Sequence, residues 1–94
     1  MKIDEEKNEI EIILRKAIYD KNAVALGIQA FKDVCEFNLH EDFYVFVHTK
    51  IPILRIIIKP KELLKKKELE RVGLEFCNCL LQFQQKFKAD SKIN

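Results

Sequence analysis

The stretch from Phe43 to Lys59 constrains this chain more than any other, because it is the only strongly β-forming part of the sequence. Phe43, Tyr44, Val45, Phe46, Val47 and Thr49 are β-branched or aromatic, and Ile53, Leu54, Ile56, Ile57 and Ile58 repeat the pattern. Such side chains suit a pleated, packed surface. Lys50-Ile51-Pro52 separates the two runs, and a proline that cannot donate to a ladder marks a strand end or bend. The pattern predicts a two-stranded antiparallel hairpin. Neither run alternates cleanly between apolar and polar, so both faces read as buried, unlike a sheet with one wet face. Two strands are marginal alone, which calls for cover on both sides, further strands, or a second chain.

The flanking segments read as helix. Asp4 is placed to cap a helix carrying Ile10, Ile13, Leu14, Ala17 and Ile18 at helical spacing. Glu9-Ile10-Glu11-Ile12 also alternates as a strand does, but the 3.6-residue period persists further and the helical reading prevails. Asp20-Lys21-Asn22 is a junction with Asn22 as a second cap, although a single helix through residues 5–37 fits as well. From Ala23 to Phe37 the apolar residues surround most of a helix, which predicts an element buried nearly all round. Gly27 there permits close approach of another segment. Residues 38–42 read as a polar turn. Pro60 suits a helix start, and Leu69, Val72, Phe76, Leu80, Phe83 and Phe87 form a stripe predicting a long helix over roughly residues 67–88.

The expected fold is therefore a single α+β domain over residues 1–94, frayed at 1–3 and 89–94. Its order is α-α-β-β-α, with the two-stranded hairpin packed on helices and a long C-terminal helix. The expected core comprises Ile13, Leu14, Val24, Ile28, Phe31, Val45, Val47, Ile56, Ile58, Phe76, Leu80 and Phe83.

Few function classes find support. The three cysteines have no disulfide-framework spacing, which points to reduced thiols and an intracellular, cytoplasmic setting. The acidic N-terminus lacks the pattern of a signal peptide, and no apolar run approaches the ~20 residues of a membrane span. Cys77 and Cys79 stand two apart on a predicted helix, about 200° around its axis, and so do not converge on one metal ion. Cys35 and His40 are close in sequence but lack the surroundings of a nucleophilic thiol. The two glycines form no phosphate-binding loop, and the lone Ser91 forms no nucleophile elbow. The reading is a non-enzymatic chain without metal or cofactor.

Two binding readings remain. With 48% hydrophobic residues and seven Phe, the chain carries more apolar material than a small solvated monomer needs. This favours a protein–protein interaction module, either homodimeric or a small subunit of a larger assembly, with Tyr44, Phe46, Ile53, Ile57, Phe76, Phe83 and Phe87 as candidate contacts. The alternative is a winged-helix-like nucleic-acid-binding protein using Lys59, Lys61, Lys65, Lys66, Lys67 and Arg71. Charge is unevenly spread: residues 1–42 hold ten acids and six bases, whereas residues 43–94 hold eleven bases and five acids.

Overall fold

A computed structural model of the chain describes the backbone of residues 1–93 and the side chains of residues 1–86. The order is β1 (Lys2–Asp4), β2 (Glu9–Arg15), α1 (Lys21–Phe31), β3 (Cys35–Phe46), β4 (Thr49–Pro60) and α2 (Lys66–Ile93). All strands join one antiparallel sheet in the spatial order β1-β2-β4-β3. The α+β character stands, but the α-α-β-β-α order and the two-stranded hairpin are overturned.

Two segments account for the difference. Residues 9–15 form a strand, not a helix. Ile10, Ile12 and Leu14 turn inward with a period of two and are buried, while Ile13 points outward and is 54% exposed. Residues 35–42 form a strand where the sequence reads as helix end and turn. Cys35-Glu36-Phe37-Asn38-Leu39-His40 alternates apolar and polar, and it extends the hairpin by eight residues on that side. The hairpin turn lies at Val47-His48 rather than Lys50–Pro52. Pro52 stays within β4 because its carbonyl faces away from β3, accepting from the Lys16 N–H at 3.2 Å. Its nitrogen points to that same side, beyond the end of β2, where no ladder donor is required.

Registers Ile10↔Ile58, Ile12↔Ile56 and Leu14↔Leu54 set one face of the sheet against the helices. Leu69, Phe76 and Leu80 of α2 and Val24 of α1 complete the core. Phe76 is wholly buried, with its ring centroid 5.7 Å from Phe31 and 5.4 Å from Phe37. Ile28, Phe31 and Phe37 pack around it half-buried, as does Val72. Phe83 is half-buried, and the side chain of Phe87 lies outside the described residues. Val45 and Val47, expected in the core, are 64% and 73% exposed.

Helix α1 is capped by Asp20, whose side chain accepts from the Asn22 N–H at 2.7 Å, and not by Asn22. It lies beside α2 and is not enclosed, since Ala25, Leu26 and Ala30 remain exposed. A Cβ on Gly27 would stand 2.8 Å from Leu80 Cδ2 and 3.3 Å from Phe76 Cε2, so any larger residue would force the buried Leu80 side chain to shift. Gln84 of α2 clamps the entry to α1, accepting from the Asp20 N–H at 2.8 Å and donating to the Ile18 carbonyl at 3.0 Å.

The turn between β1 and β2 ends on Asn8, the one polar residue that the described fold buries. Its φ of 55° is left-handed, a conformation that asparagine tolerates. Its amide donates to the carbonyls of Pro60 and Glu62 at 3.2 and 2.9 Å, and its oxygen accepts from the Leu64 N–H at 3.0 Å. Asn8 thereby fixes the passage from β4 to α2. Asn8→Ala leaves these groups without a partner and is expected to lower stability by about 2–3 kcal/mol in denaturant titration. Asn8→Asp keeps the acceptor but turns an oxygen on two carbonyls, and should cost at least as much.

Candidate functional site: the hairpin arm and the groove at its base

Strand β2 reaches only to the Arg15↔Ile53 pair, yet β3 and β4 continue through four more pairs to Phe46↔Thr49. At ~3.4 Å per residue this leaves an arm of roughly 14 Å without a lateral strand on its β2 side. Phe43, Tyr44, Val45, Phe46 and Val47 on the arm are each at least 56% exposed. Phe43 and Val45 share the helix side of the sheet with Leu39 and Phe37, while Tyr44 and Phe46 occupy the opposite side. The expected interface residues Tyr44 and Phe46 thus stand on open surface. Phe76 has no surface to offer.

The tip is strained. Val47 and His48 have φ of 43° and 66°, the left-handed pair that a type I′ turn requires. Asparagine and glycine adopt that geometry readily, whereas a β-branched valine there is a backbone outlier. Such strain concentrates at functional sites. Replacing Val47-His48 by Asn-Gly is expected to raise stability by about 1–2 kcal/mol in thermal or denaturant unfolding.

A groove of about 470 Å³ opens at the base of the arm, between α1 and the helix side of the sheet. Its walls are apolar, with Leu14, Val24, Ala25, Ile28, Leu39 and Leu54 prominent. Arg15, Lys16, Lys21 and Glu41 stand at its margin. Lys16 Nζ lies 2.9 Å from Glu41 Oε1. That hydrogen bond, together with the Lys16 charge, holds the Glu41 carboxyl below its ordinary pKa. The pair contributes above the usual glutamate range and is lost as pH falls through the depressed value.

The other face of the sheet, expected to be covered, carries no helix among the described residues. Its centre is ionic: Arg55 Nε lies 3.1 Å from Glu11 Oε1, and Arg55 Nη2 lies 3.7 Å from Asp42 Oδ2. The Nε–H has no aligned acceptor among the described residues, so the Glu11 contact is one of charge. Ile57 is half-buried opposite Glu11, and Ile53 is buried between Arg15 and Asp42. Both candidate contacts therefore sit among charges.

The basic residues Lys59, Lys61, Lys65, Lys66, Lys67 and Arg71 are all exposed, at the end of the molecule remote from the arm. Among the described residues, none of the six makes an ion pair. They share an end but not one surface. Lys59 projects from the ionic face, while Lys66, Lys67 and Arg71 ride on α2 on the opposite side, where Lys67 and Arg71 are one turn apart. The winged-helix arrangement is overturned, because α1 is one short helix followed by a strand.

Burial raises the pKa of Cys35, against a smaller lowering by Lys61, and burial likewise raises Cys77. Burial thus makes both thiols harder to ionise. Among the described residues no group of three or more His, Cys, Asp or Glu is placed to hold a metal ion. No described helix is long and apolar enough to cross a membrane. Comparison with protein-family models, curated proteins and solved structures found no match.

Proposed function

We propose that the protein is an interaction module that docks onto other protein through its β3–β4 arm. The observation that carries this reading is the run Phe43–Val47, five consecutive large apolar residues exposed on a projecting strand and turn. Scattered apolar residues are ordinary on surfaces, but a contiguous aromatic cluster marks a contact region. The strained Val47-His48 turn supports the same reading, since strain that lowers stability is tolerated where a surface is used. The mechanism is removal of this apolar surface from water, at ~25 cal/mol per Å² before the costs of association.

The double variant Phe43→Glu/Phe46→Glu, which sets one charge on each side of the arm, tests the reading. Both side chains are exposed, so the far-UV circular dichroism should be unchanged. Association measured by light scattering, alone and with co-purifying subunits, should be lost. An unchanged molar mass in both settings would remove the arm as a docking surface.

Nucleic-acid contact through Lys59–Arg71 is a second reading, supported by six exposed basic residues that make no ion pair among the described residues. It expects wild type to bind duplex DNA or RNA at low salt, and Lys65→Glu/Lys66→Glu/Lys67→Glu to abolish that binding. Failure of wild type to bind in low-salt titrations would dismiss it.

A further inference from the structure

Helix α1 packs chiefly against α2, and between α1 and the sheet it leaves the groove of about 470 Å³. Lys21, Val24, Ala25 and Ile28 follow one another at helical spacing and form a single face of α1 on one wall. Leu39 of β3 and Leu54 of β4 belong to the sheet wall. Protein interiors leave few voids larger than a water molecule, and a concave space of this volume falls within the ~300–1,000 Å³ of small-molecule sites.

The walls select the body of the ligand. Leu14, Val24, Ala25, Ile28, Leu39 and Leu54 are all aliphatic. A peptide laid along them would bring an N–H and a carbonyl for every residue, each needing a partner that aliphatic side chains do not offer. A hydrocarbon chain brings no such groups. The margin selects the head. Lys16, Tyr19, Lys21 and Glu41 stand there, and the Lys16–Glu41 hydrogen bond occupies one of the three donors of the Lys16 ammonium. The charge of Lys21 also reaches Glu41 and helps to hold its carboxyl below the ordinary pKa, which places both lysines at the same edge. Lys21 makes no ion pair among the described residues. Two ammonium groups thus face one carboxylate, and the edge of an apolar groove carries an excess of positive charge.

We propose that the groove between α1 and the sheet binds a small amphipathic anion, an unbranched aliphatic chain that ends in a carboxylate. The chain lies along Leu14, Ile28, Leu39 and Leu54. The carboxylate accepts from Lys16 and Lys21 at the margin, with the Tyr19 hydroxyl as a further donor. The site is distinct from the arm and does not rest on the reading of the arm as a docking surface.

The test is isothermal titration of the full, reduced chain with decanoate at neutral pH, below the concentration at which decanoate forms micelles, with 1-decanol and decylammonium as the neutral and cationic comparisons. Wild type should bind one decanoate per chain, bind decanol more weakly, and bind decylammonium least. Lys21→Glu sets an acid in the first turn of α1, where the helix tolerates it. It should weaken decanoate roughly fivefold and leave decanol unchanged. Ala25→Glu and Leu39→Glu charge the two walls at exposed positions, and each should abolish binding of both ligands. Leu26→Glu is the control, since Leu26 is exposed on α1 but does not line the groove, and it should bind as wild type does. Circular dichroism checks the fold of each variant.

A wild type that shows no saturable binding of decanoate overturns the proposal. Decanol bound as tightly as decanoate, with Lys21→Glu indistinguishable from wild type, overturns the anionic class of the ligand. Decanoate binding that survives in folded Ala25→Glu or Leu39→Glu overturns the groove as its site.

Discussion

The pairing of β2 against β4 is the constraint on which the other elements depend. Its register places Ile10, Ile12, Leu14, Leu54, Ile56 and Ile58 on one face, and that face is what α1 and α2 cover. A slip of β2 by one residue would bring Glu9 and Glu11 to the face beneath Phe76 and Leu80 instead, exchanging methyl groups for charges in a closed core. The cost of burying unpaired charge makes that slip prohibitive. Once β2 and β4 are aligned, β1 is added by a hairpin, Asn8 fixes the exit from β4, and α2 is delivered across the sheet by way of Leu64.

The same alignment creates the arm. Strand β2 has seven residues, while β3 and β4 have twelve each. The chain then leaves β2 by a turn in which the Lys16 N–H bonds to Pro52. Beyond that turn the hairpin has neither a strand beside it nor a helix over it, and its side chains are exposed on both faces for that reason. Residues with high β propensity form the arm without cover, because the ladder begun between Cys35 and Pro60 extends by simple continuation.

Much of this was legible in the residues, though not all in the right sense. The hairpin itself, the long last helix with Leu69, Phe76 and Leu80 inward, and the α+β character follow directly from pattern. Strand β2 did not, because Ile12-Ile13-Leu14 satisfies both periods, and only the presence of a sheet able to pair with it decides for the strand. The alternation over Cys35–His40 was a usable signal, masked by the apolar helix before it. The groove was not legible, since Tyr19, Ala25, Leu39 and Leu54 come from four different segments and meet only through topology. Val45 and Val47 were misplaced into the core by a rule that holds for apolar residues in general but fails on a strand pair that runs on beyond its neighbours.

The two faces of the sheet bear on where such a molecule associates. An uncovered antiparallel face rich in isoleucine would invite stacking of sheets at random. Here Arg55 stands at its centre between Glu11 and Asp42, and Ile53 and Ile57 are screened among these charges. Docking on that face would strip water from three charges whose mutual contacts are at best partly aligned, a cost that exceeds the gain from two isoleucines already largely buried. The helix side at the arm carries no such penalty: Phe43, Val45, Leu39 and the groove walls are apolar, and its Lys16–Glu41 pair lies at the margin, where it remains hydrated. In the proposed reading of the arm as a docking surface, the charges on one face and their absence on the other would favour the helix side, without requiring any residue of the core to change place.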